Sequence, residues 1–104
     1  MTVIKTGNTV VDLQNRVATF NGSRKSVTNS QFTLMNTLVS QGRPIGESVL
    51  AELVYGHDTF GQNQIQKIYA RLIRRLPELK LVFVLENGFY SYVEPETEAE
   101  EVLR

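Results

Sequence analysis

The spacing of apolar residues changes twice along this chain, and the two changes divide it into three parts. Up to Val27 the apolar residues alternate in short runs, from Thr28 to Leu76 they recur every three or four positions, and beyond Pro77 alternation returns. Side chains repeat on one face every second residue in a strand and about every 3.6 residues in a helix. The pattern therefore predicts strands, then helices, then strands, an α+β fold on one domain-sized chain of 104 residues.

The first part contains Val3-Ile4-Lys5, Thr9-Val10-Val11-Asp12-Leu13 and Arg16-Val17-Ala18-Thr19-Phe20, with Ser23 to Val27 as a fourth run. Thr6-Gly7-Asn8, Gln14-Asn15 and Asn21-Gly22 break them, and Asn-Gly is a strong two-residue hairpin signal. A small antiparallel sheet with one apolar face is expected. Thr28-Asn29-Ser30-Gln31 then matches a helix capping box, a hydroxyl N-cap with an amide three residues on. Phe32, Met35, Leu38 and Val39 follow at helical spacing until Gly42 and Pro44. Gly46 to Tyr55 reads as a second, shorter helix carrying Val49, Leu50, Leu53 and Val54.

Gln62 to Leu76 is the strongest helical segment. At about 100° per residue, Ile65, Tyr69, Leu72 and Leu76 point within roughly 40° of one direction, with Ile68 and Ile73 at the edges of that stripe. Gln64, Lys67, Arg71 and Arg74 share the opposite side. Pro77 ends the helix. Lys80 to Leu85 and Phe89 to Val93 then flank Glu86-Asn87-Gly88 as a terminal hairpin.

Composition excludes several functions. With no cysteine there is no disulfide, thiolate metal site or Cys nucleophile, and a single histidine precludes a multi-His metal site. His57-Asp58 has no third member that would make it a catalytic relay, so no enzymatic role, cofactor or metal is expected. No phosphate-binding loop motif is present. No apolar run reaches the ~20 residues of a membrane helix, and a cytoplasmic protein with no membrane partner is expected. Tyr69 and Phe32, both on apolar stripes, read as packing residues.

The formal net charge is zero, but it is unevenly distributed. Glu94, Glu96, Glu98, Glu100 and Glu101 crowd the end, so residues 94–104 read as an acidic tail and 1–93 as the folded domain. The tail is expected to be a solvating end that competes weakly with phosphate for the basic helix. Lys67, Arg71, Arg74, Arg75 and Lys80 face only one acid, Glu78, between positions 67 and 80. A basic helix face suits phosphate neutralisation and base reading in the major groove, where Arg and Lys pair with guanine. Asn63 and Gln64 suit adenine edges. A solvated surface face is the competing interpretation of the same residues.

The order of small sheet, three helices and hairpin resembles the winged-helix effector domain of the OmpR/PhoB type, found in response regulators and ToxR-like activators. Val27-Thr-Asn-Ser-Gln-Phe-Thr-Leu-Met35 is similar to that family's Leu-Thr-Pro-x-Glu-Phe-x-Leu-Leu at the start of the first helix. Gly46-Glu-Ser-Val-Leu-Ala-Glu-Leu-Val-Tyr-Gly56 is similar to its Ser-Arg-Glu-x-Leu-Leu-x-x-Val-Trp-Gly. Ile65-Gln-Lys-Ile-Tyr-Ala-Arg-Leu-Ile-Arg-Arg-Leu76 resembles its recognition helix, Val-Asp-Val-His-Ile-x-Arg-Leu-Arg-x-Lys-Leu, and Gly88-Phe89 stands where its wing has Gly-Tyr. The resemblance implies a bacterial transcription regulator, an activator, with residues 62–76 in the major groove of double-stranded DNA. It adds Ile68 and Tyr55, at the family's His and Trp positions, to the expected DNA contacts Asn63, Gln64, Lys67, Arg71, Arg74 and Arg75. It implies a homodimer on DNA, since one helix spans too few base pairs for genomic specificity, and a contact for RNA polymerase in the 56–61 loop. It is equally compatible with a stand-alone regulator and with the effector part of a larger chain.

The departures define an atypical member. Glu47 replaces the family's arginine at the start of the second helix, and Leu85-Glu86-Asn87-Gly88-Phe89-Tyr90 lacks both wing arginines. They support an alternative, a winged-helix protein-interaction module that no longer binds DNA.

Overall fold

The computed structural model describes residues 3–56 and 61–95, with backbone alone at 61–63. Four strands open the chain: β1 (Val3–Thr6), β2 (Thr9–Asp12), β3 (Val17–Phe20) and β4 (Ser23–Lys25). They pair as an antiparallel meander in that order. Ile4 lies opposite Val11, and Val11 opposite Ala18. All three are buried, so the expected apolar face is real and lies on the helices. The β3–β4 turn is Asn21-Gly22, with φ of 53° and 82°. A two-residue hairpin of this hand needs positive φ twice, which Asn and Gly supply at least cost.

α1 (Asn29–Gln41) begins at the predicted capping box. The Gln31 N–H donates to Thr28 Oγ1 at 3.2 Å, and the Thr28 N–H donates to Gln31 Oε1 at 2.9 Å. Gly42 ends the helix in the left-handed conformation. A two-residue strand, β5 (Ile45–Gly46), then leads into α2 (Glu47–Tyr55). α3 (Gly61–Arg75) packs against α1 and α2. Beyond it come a 3-10 turn (Pro77–Leu81) and the hairpin β6 (Phe83–Glu86) and β7 (Phe89–Tyr92). β7 pairs with both β6 and β5, so the hairpin is part of a three-stranded sheet in the order β5-β7-β6. This is the expected winged helix, with a small N-terminal sheet, three helices and a C-terminal wing. No helix among the described residues is long and apolar enough to cross a membrane.

Several local expectations are corrected. The second helix starts at Glu47, because Ile45 and Gly46 are extended and pair with Tyr90 and Phe89. Lys80 and Leu81 are in the 3-10 turn, so the strand begins at Phe83; Leu81 is 63% exposed. α2 buries Leu50 and Ala51 and leaves Val49 and Leu53 about half exposed, so its inward face is turned from the one that the apolar residues suggest. The His57-Asp58 pair and tail residues 96–104 lie outside the described residues.

Two side-chain contacts help to fix the segments that follow α3. The first is Glu78 in the 3-10 turn, whose Oε1 accepts the Asn8 N–H at 2.9 Å and the Thr9 hydroxyl at 2.6 Å. Gly7, at φ 61°, passes so close to this carboxylate that a Cβ would collide with it. Hydrogen bonds to a charged acceptor contribute more than neutral ones, and Thr9 is fully buried. Glu78→Ala is expected to lower stability by about 1–3 kcal/mol in a urea melt.

The second contact is aromatic. Tyr69 on α3 donates its hydroxyl to the Phe83 carbonyl at 2.6 Å and meets Tyr90 edge-to-face at 5.2 Å. Tyr69 is therefore a packing residue that also fixes the wing to α3. Burial, followed by the nearby Glu47 and Tyr69, pushes the Tyr90 hydroxyl up to about 12. The unfolded chain titrates there near about 10. Between these values the unfolded chain has lost a proton that the folded chain keeps, so stability is complete below the lower value and falls as pH rises. The slope for one group is at most about 1.4 kcal/mol per pH unit. Burial raises Tyr69 and Tyr55 as well, with the same sign. Melting temperature is expected to drop across this alkaline window, and Tyr90→Phe to make the drop shallower.

Candidate nucleic-acid interface

α3 separates its two faces. Ile65, Leu72 and Leu76 have no exposed surface, while Gln64, Lys67, Arg71, Arg74 and Arg75 are exposed. Arg74 and Arg75 occupy the last turn, where the helix dipole favours cations. Among the described residues, the side chains of Lys67, Arg71, Arg74 and Arg75 take part in no ion pair or hydrogen bond. The face is thus positive, solvent-accessible and uncommitted.

The predicted contacts do not all lie on it. Ile68 is only 9% exposed and packs in the core. Its place at the edge of the stripe falls on the inward side once α3 packs on α1 and α2, and a β-branched alkyl side chain gains by that burial. Tyr55 is half-buried at the C-terminal end of α2 and packs against the core. The side chain of Asn63, and residues 57–60 of the 56–61 loop, lie outside the described residues.

The start of α2 faces the middle of α3. Glu47 Oε1 accepts from Gln66 Nε2 at 3.3 Å, and Glu47 Oε2 is buried without a hydrogen-bond partner among the described residues. A carboxylate therefore stands where the resembling family has an arginine. It is favourable to the N-terminal pole of α2 and adverse to a nearby phosphate.

The wing offers no cation. Phe83 to Tyr92 contains one charged side chain, Glu86. Its turn, Asn87-Gly88, has φ of 55° and 80° and repeats the Asn21-Gly22 geometry. Leu85 and Phe89 are 45% and 50% exposed, and the Phe89 ring lies beside Gly46, within 3.7 Å of where a Cβ would stand.

One contributor to the positive surface escapes the sequence reading. A cavity of about 590 Å³ is lined by Arg71, Arg74 and Arg75 from α3, by Thr28 and Gln31 at the start of α1, and by Lys25 and Ser26 just before it. Lys25 belongs to β4 and reaches this place only through the fold. The available signal was its position three residues before a helix N-cap, where a cation is electrostatically disfavoured unless something compensates.

The sequence matches no family model and no curated protein. The fold matches solved structures closely. The DNA-binding domain of CpxR from E. coli superposes with a TM-score of 0.68 at 24% identity, over 90% of this chain and 98% of that one. The Klebsiella pneumoniae RstA DNA-binding domain in complex with the RstA box gives 0.67 at 17% identity, over 89% and 98%. A second structure, of the C-terminal DNA-binding domain of RstA from the same organism, gives 0.62 at 18% identity, over 89% and 90%. All three are DNA-binding domains, and the chain has their winged-helix fold.

Proposed function

We propose that this chain binds double-stranded DNA as a sequence-specific transcription regulator, with α3 in the major groove. The observation that carries the reading is the exposed, unpaired row Gln64, Lys67, Arg71 and Arg74 on the third helix of a winged-helix fold. The likeness to a domain solved with its DNA box supports it. A helix is the element that the major groove admits, and Arg, Lys and Gln pair there with guanine and adenine edges. Because the wing has no base, affinity falls to α3 and the surface around it. A single helix covers too few base pairs for genomic specificity, which favours a homodimer on tandem or symmetric half-sites. Activation of transcription, through RNA polymerase at the 56–61 loop, and a cytoplasmic location belong to the same proposal, as does the absence of catalysis.

A second reading has its own observation. Glu47 faces α3, and the wing presents Leu85 and Phe89 to solvent instead of arginines, as a protein-binding winged helix would. Titration with salt separates the two. A DNA binder neutralising several phosphates loses affinity for random duplex steeply, with log affinity falling by about 0.9 per phosphate for each decade of salt. Undetectable duplex binding at low salt would transfer support to the protein-interaction reading.

A further inference from the structure

The cavity at the start of α1 gathers positive charge from two parts of the chain far apart in sequence. Arg71, Arg74, Arg75 and Lys25 all line it, and among the described residues no carboxylate does. Among the described residues none of the four cations has an ion-pair partner. Lys25 is half-buried, so its charge is not simply dissolved in water. The N-terminal pole of α1, a helix of 13 residues, adds partial positive charge to the same space. Four cations and a helix N-terminus held together repel one another unless an anion joins them.

The neutral lining residues are also arranged as donors. Gln31 is 7% exposed, and its Oε1 is committed to the Thr28 N–H. That bond fixes the orientation of the amide and leaves the Nε2 hydrogens without a partner among the described residues. Thr28 Oγ1 already accepts from the Gln31 N–H, so its own proton is the group left to give. Ser26 adds another hydroxyl. These donors line a concave space beside a helix N-terminus, which is the chemistry that recognises a multiply oxygenated anion.

We infer that this cavity is a phosphate-binding site. Lys25, Arg71, Arg74 and Arg75 supply charge, and the Gln31 amide and Thr28 hydroxyl give directed hydrogen bonds to the phosphate oxygens. The phosphate has two possible sources, a phosphodiester of a DNA strand running past α3 or a free phosphate-bearing anion. The first rests on the DNA-binding reading, and the second stands without it.

The test uses the full chain, Lys25→Gln and Arg75→Gln, with Lys5→Gln as a control, since Lys5 is exposed on β1 and does not line the cavity. In the first arm, melting temperature is followed against inorganic phosphate and against chloride at equal ionic strength. A free-anion site gives a saturable rise in phosphate alone, following mass action, and its apparent Kd weakens by roughly 10-fold or more in Lys25→Gln and Arg75→Gln but not in Lys5→Gln. In the second arm, binding to random duplex DNA is measured against salt. A backbone site lowers the slope of log affinity on log salt by about 0.9 in Lys25→Gln and leaves it unchanged in Lys5→Gln. Either positive arm supports the site and identifies its source. The inference is overturned if Lys25→Gln behaves as Lys5→Gln on DNA and phosphate either melts the chain as chloride does or stabilises all the variants equally. A parent chain that binds no duplex would defeat the DNA-binding reading alone, and the first arm would then decide the site.

Discussion

Leu72→Ala is expected to lower the stability of this domain by about 2–5 kcal/mol. Leu72 lies toward the C-terminal end of α3 with no exposed surface, in the same core as Ile65, Leu76, Leu34 and Phe83. Removing its isobutyl group loses both the transfer free energy of the buried carbons and the contacts around the hole left behind. The site has little freedom to collapse, because α1 and α2 hold α3 from two sides while the Tyr69 hydroxyl ties it to the wing. A domain of this size is stable by about 5–15 kcal/mol in total, so the loss is a large share. The melting temperature should fall by roughly 10 °C or more. Leu53→Ala provides the comparison: the same chemical change on α2, at a position 45% exposed, should cost far less. Equal effects of the two substitutions would mean that α3 has been oriented wrongly.

That contrast also shows which parts of the fold can be read from the chain. Features set by neighbouring residues were legible. The Thr28 capping box, the Asn21-Gly22 and Asn87-Gly88 turns, the stop at Gly42 and the stripe through Leu72 each depend on a few consecutive positions, and the structure has all of them. Features set by distant partners were not. Ile45-Gly46 is extended because β7 arrives beside it from the far end of the chain. Lys80-Leu81 continues an apolar run that looks like a strand, yet Pro77 starts a 3-10 turn that delays β6 until Phe83. On α2 apolar residues occur on both faces, so periodicity could not show that Leu50 and Ala51 turn inward and Val49 and Leu53 outward.

The candidate site divides in the same way. The exposed row on α3 followed from its period. Ile68 stood at the boundary of two faces, where only packing could choose, and packing turned it inward. Lys25 was invisible as a partner of Arg71, Arg74 and Arg75 because the sheet and α1 intervene in sequence and only the tertiary fold closes the distance. Glu47 departs from the resembling family in the sequence itself, but its pairing with Gln66 across α2 and α3 is set by the fold.

Arg71→Ala is the substitution expected to weaken DNA binding most. Arg71 is exposed in the C-terminal half of α3, on the same side as Gln64, Lys67 and Arg74 and turned away from the buried stripe through Ile65 and Leu76. Its guanidinium forms no ion pair or hydrogen bond among the described residues, so no existing partner has to be surrendered before it meets a base. Arginine offers two parallel donors that match guanine O6 and N7, a fork that lysine lacks. Loss of such a contact costs about 1–3 kcal/mol, or about 5- to 150-fold in affinity for a preferred sequence obtained by selection from random duplexes. Binding to random duplex should fall less, because there Arg71 contributes only charge, and the salt slope should decrease by no more than about 0.9. Arg71→Lys separates the two roles: it keeps the charge and should restore binding to random duplex, while leaving the preferred sequence weakened. The melting temperature should hardly change in either variant, since the side chain is exposed. If both variants are folded and bind the preferred sequence as the parent does, base reading is not the work of Arg71.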